Sequence, residues 1–172
     1  ANIKGVPSHK IVNDGLTILN RLDHRGGRAS DELTGDGAGI MLGMPYDYMR
    51  FIANQASITL PEDGSFAVGM VFLPQDEVSK SWSKQLIEDT VEDEGLNFLF
   101  WRDVPTNSDV LGPIARASEP KICQFFVSKE YLSKKEFQWK LFVVRKLIEE
   151  RAREKLGIEQ KQLYICLSLI HI

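Results

Sequence analysis

The chain reads as an α+β protein, and two observations predict it. From Phe66 onward, runs of period-two alternation and runs of helical spacing follow one another as strand, helix, strand, strand, helix, strand. That order is the split βαβ pattern of ferredoxin-like units. Ahead of it, an apolar-periodic helix runs into the corner Leu22-Asp23-His24-Arg25-Gly26-Gly27, and the glycine-rich stretch Thr34-Gly35-Asp36-Gly37-Ala38-Gly39-Ile40 follows.

Taken in order, Pro7-Ser8 opens the first helix, with Ser8 suited to cap it. Ile11, Val12, Leu16, Leu19 and Leu22 recur along it at helical spacing. Residues 37–44 are expected to form a short strand fed by the glycines. Residues 45–55 read as a short helix, with Pro45 suited to its first turn. Phe66–Leu73 is a strand in which Val68, Met70 and Phe72 alternate with their neighbours. Residues 75–94 form an acidic amphipathic helix with Val78, Trp82, Leu86 and Val91 on its apolar side. Residues 96–104 make an aromatic-rich strand. Residues 105–120 are mostly loop with room for one helical turn. Lys121–Ser128 is a strand. Lys134–Leu156 is the longest helix, with a core stripe of Phe137, Leu141, Val144, Leu147 and Ile148, and Gly157 is its expected C-cap. Residues 162–166 begin a last strand.

A length of 172 residues suits one domain, or one domain carrying an insertion. The net charge of −3, with no basic tract, argues against a nucleic-acid partner. No apolar run approaches the roughly 20 residues that span a bilayer. Cys123 and Cys166 lie in apolar runs and read as reduced, buried thiols rather than a disulfide framework. No metal site is expected. His24 has no second histidine at ligand spacing, and it reads instead as a helix-end residue bonded to the last carbonyls.

The glycine-rich stretch is not a dinucleotide fingerprint, because Ile40 occupies the third glycine's place and the glycines lead into a strand. It reads as a tight turn. Asp23, Arg25 and Arg28 can be a screened surface charge cluster. Arg25 is the better candidate for function, because bare backbone follows it at Gly26 and Gly27. A guanidinium there can hold a carboxylate or carbonyl through two donors. The mixed charges of residues 145–154 have the i, i+4 patterning of an exposed helix face.

These residues resemble the amino-terminal glutaminase domain of the glutamate synthase large subunits, a class II glutamine amidotransferase family. The resemblance is carried by Ala1-Asn2-Ile3-Lys4-Gly5, Pro7-Ser8-His9-Lys10-Ile11-Val12, Leu22-Asp23-His24-Arg25-Gly26 and Thr34-Gly35-Asp36-Gly37-Ala38-Gly39-Ile40. Trp101-Arg102-Asp103-Val104-Pro105, Val110-Leu111-Gly112 and Ala117-Ser118-Glu119-Pro120 extend it. It covers residues 1–166. The His-Arg-Gly element is shared across class II amidotransferases, whereas its combination with the other motifs is specific to glutamate synthase.

The resemblance implies a partial N-terminal-nucleophile hydrolase domain of αββα type, with residues 66–166 as a ferredoxin-like βαββαβ insertion. It implies that an amino-terminal cysteine attacks the amide of glutamine with its own α-amino group as base. The ammonia then serves the reductive conversion of 2-oxoglutarate to glutamate. Glutamine is the implied substrate, and downstream synthase domains of the same chain are the implied partners. FMN and an iron–sulfur cluster are implied for the whole protein, with no cofactor in this part. The implied location is cytoplasm or plastid stroma, and the electron donor stays open. Arg25 and Gly26 map onto the substrate pocket, and Asp36 and Gly37 onto a structural turn beside it. The nucleophile would precede Ala1, so these residues hold no catalytic residue and are expected to be inactive alone. Neither Cys123 nor Cys166 supplies a free amino group in its place.

The alternative is a non-catalytic ferredoxin-like module that binds a small ligand or a partner. Residues 1–44 are expected to pack less well than residues 66–166. Residues 167–172 are expected to be a non-native tail, since codons exist for them that match a transposon-end adapter. The other reading is a genuine strand end with Leu167 and Leu169 on one face.

Overall fold

The computed structural model describes residues 4–156 and 163–166. In chain order they form α1 (His9–Arg21), α2 (Tyr46–Gln55), β1 (Phe66–Leu73), α3 (Glu77–Asp93), β2 (Asn97–Asp103), α4 (Pro113–Ala117), β3 (Lys121–Ser128), α5 (Lys134–Leu156) and β4 (Tyr164–Cys166). The fold is α+β around one small antiparallel sheet. The chain divides into two units. Ala1–Leu42 joins Asn107–Glu119 in the first, and Gly43–Thr106 joins Pro120–Ile172 in the second.

The second unit is organised by its strands. The sheet order is β2-β3-β1-β4, and every neighbouring pair is antiparallel. This is the order that a strand–helix–strand–strand–helix–strand chain gives when each βαβ unit is split by a third strand. β1 and β3 pair along their whole length, from Phe66 opposite Ser128 to Leu73 opposite Lys121.

Successive side chains on a strand point to opposite faces. Ala67, Val71 and Leu73 of β1 therefore pack with Cys123, Phe125 and Val127 of β3 on one face. Ile87 and Val91 of α3 and Phe137, Val144 and Ile148 of α5 cover them. On the other face, Phe66, Val68 and Phe126 pack with Met49, Ile52 and Ala53 of α2. Burial on both faces explains why β1 and β3 read as nearly continuous apolar runs. β2 departs from strict alternation. A register shift between Phe98 and Phe100 sends Leu99 and Phe100 toward the α2 side, while Phe98 and Trp101 face the α3–α5 side.

Several expectations need correction. Residues 37–44 form no strand. An extended segment becomes a strand only when a partner takes up its backbone groups, and no described residue pairs with this one. Met41 is accordingly left 93% exposed. Ser8 stands at the N-cap of α1, but its side chain makes no capping bond. The acidic helix starts later than expected because Asp76 caps it, accepting the Ser79 N–H at 2.8 Å. That bond holds the Asp76 carboxyl below its usual range. The buried side of α3 runs through Ser83, Ile87, Thr90 and Val91, and Val78 is exposed. Two polar residues can line this core because Ser83 and Thr90 donate back to the carbonyls of Ser79 and Leu86, each at 2.7 Å. The loop of residues 105–120 holds a 3-10 turn, Ser108–Val110, as well as α4. Gly157 and residues 167–172 lie outside the described residues.

The first unit is built differently. α1 buries none of its residues, and Leu16, Ile18 and Leu22 are exposed. No described hydrophobic side chain of this unit is buried.

Gly69 offers a direct test of the core. A Cβ there would run into the ring of Phe125 on the paired strand. Gly69→Ala is expected to destabilise the protein by about 1–3 kcal/mol, the usual range for overpacking. Urea unfolding measures it. Phe125→Leu in the Gly69→Ala background is expected to recover part of the loss, a coupling that independent sites do not show.

Candidate functional site

The site grows out of the end of α1. Beyond Arg21 the helix tightens into a 3-10 turn, Asp23–Arg25, closed by Arg25 N–H to Leu22 O at 2.9 Å and Gly26 N–H to Asp23 O at 3.0 Å. His24 Nδ1 donates to the Arg21 carbonyl at 3.0 Å, so His24 serves the helix end, as its position suggests.

The chain then folds back as a short hairpin. Asp36 N–H donates to Gly27 O at 2.9 Å, and the Asp36 carboxylate accepts the Gly27 N–H at 2.8 Å. Arg28 and Gly35 form a bridge, and Ala29 N–H donates to Thr34 O at 2.7 Å. Asp31 turns the hairpin by accepting the Leu33 N–H at 3.1 Å through its side chain. Two glycines permit this approach. A Cβ on Gly27 would lie 3.1 Å from Asp36 Oδ2, and one on Gly35 would lie 3.1 Å from Gly27 O. Gly37 is open, with nothing within 4 Å of its Cβ position, and Gly26 meets only Asp23 O at 3.4 Å.

These elements enclose a cleft of about 760 Å3 whose lining includes Asp23, Arg25, Gly26, Gly27, Asp36 and Gly37. Arg25, Gly26, Asp36 and Gly37, separated in sequence by the hairpin, thus come to one place. Arg25 and Arg28 differ in a way that spacing alone does not show. Arg28 donates to Asp23 Oδ2 at 2.9 Å. Arg25 makes no ion pair or side-chain hydrogen bond among the described residues. The closing roles of Gly27 and Gly35 are what sequence reasoning misses. Their signal is the nine-residue spacing from Gly27 to Asp36, which a short hairpin can close.

The described residues contain no group of three His, Cys, Asp or Glu side chains able to hold a metal ion. Cys123 belongs to the other unit. It is a free, buried thiol that donates to Asp103 Oδ1 at 3.2 Å. Burial, and then that hydrogen bond, push the thiol up to about 11. Both effects disfavour the thiolate, which is the reactive form. The Cys123 hydrogen bond and the Lys121 ammonium, 3.0 Å away, hold Asp103 below the usual carboxylate range.

The sequence model of the glutamine amidotransferases class-II matches residues 1–171. The chain belongs to that family. Similar proteins include ferredoxin-dependent glutamate synthase 1, chloroplastic/mitochondrial, of Arabidopsis thaliana, 41% identical over 169 residues, which are 96% of this chain and 10% of the relative. The NADPH glutamate synthase large chain of Bacillus subtilis is 40% identical over 151 residues, 87% of this chain and 10% of the relative. The NADH glutamate synthase of Schizosaccharomyces pombe is 37% identical over 168 residues, 96% of this chain and 8% of the relative. The amidotransferase chain in hand therefore spans about a tenth of the length of these relatives. No helix among its described residues is long and apolar enough to cross a membrane.

The Cys123 thiol gives a pH test. Its folded value is raised, so the unfolded thiol ionises first. The stability it contributes is present below the ordinary value of 9.0 and is lost as pH rises through about 11. In a Cys166→Ser chain, iodoacetamide is expected to label folded Cys123 slowly until pH nears 11 and to follow the ordinary thiol profile in urea. Cys123→Ala is expected to flatten the loss of stability across that window.

Proposed function

We propose that this chain is part of the glutamine-hydrolysing domain of a glutamate synthase, which releases ammonia from glutamine for the conversion of 2-oxoglutarate to glutamate. The observation that carries this reading is the similarity to three kinds of glutamate synthase along nearly the whole chain, joined to a cleft at which Arg25 has no side-chain partner among the described residues. In this reading the domain is of the N-terminal-nucleophile type, and residues 66–166 are its βαββαβ insertion. Arg25 and Gly26 shape the glutamine pocket. A guanidinium with free donors is suited to orient a carboxylate or a carbonyl, and glutamine carries both. Asp36 keeps the pocket wall in place by taking the Gly27 N–H, and Gly37 leaves the rim open.

The nucleophile this chemistry needs is a cysteine whose own α-amino group is the base. Cys123 and Cys166 are both mid-chain and carry no free amino group. Downstream synthase domains, with FMN and an iron–sulfur cluster, complete the reaction in the whole protein, in cytoplasm or plastid stroma.

A polypeptide of these 172 residues is expected to release no ammonia from glutamine in a glutamine-saturable manner, and a glutamine-mimicking electrophile is expected to leave Cys123 unlabelled. In a longer chain carrying the amino-terminal cysteine, Arg25→Ala is expected to raise KM for glutamine about 10- to 100-fold, the order lost with a charge-assisted contact of roughly 1.5–3 kcal/mol. Arg25→Lys is expected to recover little, because lysine keeps the charge but not the two-donor fork. Ammonia release with unchanged KM in both variants would remove Arg25 from the pocket.

A further inference from the structure

Residues 107–119 sit between β2 and β3 in sequence, yet they belong with residues 1–42 to the first unit. The segment is tied at its ends. Ser108 Oγ donates to Glu119 Oε1, and Arg116 Nη2 donates to Ser108 O, both at 2.8 Å. Its contacts with the hairpin fall on the turn. Gly112 N–H donates to Leu33 O at 3.1 Å, and Ala115 N–H donates to Thr34 Oγ1 at 3.2 Å. Gly112 has no room for a side chain, because a Cβ there would collide with Asp31 Oδ1 and Thr34 Oγ1. Asp31 Oδ2 is buried and accepts no hydrogen bond among the described residues.

The turn that receives this segment is one end of the hairpin whose other end is the Gly27–Asp36 closure beside Arg25. A two-stranded ribbon this short is marginal in water by itself. We infer that residues 107–119 are a brace for the hairpin, and that Asp31, Thr34 and Gly112 are positioning residues for the cleft. None of the three lines the cleft. They act through the hairpin, by fixing the turn from which the Gly27–Asp36 closure is set. The Val110-Leu111-Gly112 motif thereby has a physical role, because glycine is the residue that lets the brace reach the turn.

Hydrogen exchange on the 172-residue chain tests the brace without any substrate. In Gly112→Ala and in Thr34→Val, the Gly27, Ala29 and Asp36 amides are expected to exchange at least about tenfold faster, while Val68 and Phe126 in the sheet keep their protection. Thr34→Ser, which retains the acceptor oxygen, is expected to stay within about twofold of the unsubstituted chain. Unchanged exchange at Gly27 and Asp36 in Thr34→Val would overturn the inference. So would equal acceleration in Thr34→Ser. If Gly112→Ala also loses protection in β1 and β3, it reports a folding failure, and the Thr34 pair decides.

The positioning claim rests on the glutamine reading above and has its own measurement. In the longer chain with the amino-terminal cysteine, Thr34→Val is expected to raise KM for glutamine about 5- to 10-fold more than it lowers kcat, with Thr34→Ser restoring KM. Faster exchange with unchanged KM would leave a brace that does not position the cleft and would overturn that claim. An unsubstituted chain that ignores glutamine would instead sink the functional reading, with the exchange result untouched.

Discussion

The antiparallel pairing of β1 with β3 is the constraint on which the second unit rests. Eight residues of each strand pair in register, and both faces of the pair are buried. A one-residue slip would exchange the two faces of a strand. It would carry Ala67, Val71 and Leu73 away from α3 and α5 and bring Phe66 and Val68 under them. The volumes on the two sides do not match. Phe126 stacks on Phe100 with ring centres 4.2 Å apart on one side, and Gly69 clears space for Phe125 on the other. Large and small residues thus fix the register as firmly as the hydrogen bonds do.

Polar groups near this core are accounted for locally. Besides the hydroxyls of α3, Arg151 of α5 donates to Thr90 Oγ1 at 2.9 Å and to Asp93 at 3.1 Å. The Trp-Arg-Asp motif of β2 is consumed in the same way. Trp101 Nε1 donates to Glu88 at 2.6 Å, Arg102 donates to the buried Gln124 at 2.7 Å, and Asp103 takes Lys121 and Cys123. A motif with three functional-looking side chains therefore serves the sheet. At the cleft the balance differs: Arg28 has the Asp23 carboxylate, and Arg25 has no such partner among the described residues.

What could be read in advance follows the range of the interactions involved. β1, β3 and α5 have the bounds that their periodicity predicts, because each carries its signal within its own residues. Phe137, Val144 and Ile148 are buried as the stripe on α5 requires. Residues 37–44 mislead because an apolar run after glycines describes a surface to be covered, and covering it needs a partner the run does not name. On α3, the apolar Val78 misleads, and the hydroxyls of Ser83 and Thr90 hide the true inner face. The glycines beside Arg25 and Asp36 single these residues out in the sequence, and the fold brings both to one cleft. The link from Thr34 to Ala115 is not legible there, because it spans 81 residues and neither end has a local signature.

That span has a consequence for the order in which the protein is made. The hairpin leaves the ribosome before the residues that seat its turn. At roughly 5–20 residues per second, about 4–16 s separate Thr34 from Ala115. During that interval the arginine corner is present without its support, while α2, β1, α3 and β2 are synthesised. The residues that line the cleft are thus translated well before the ones that seat its hairpin. A nascent chain interrupted anywhere between β1 and Gly112 would carry every residue that lines the cleft and still lack the means to hold its shape.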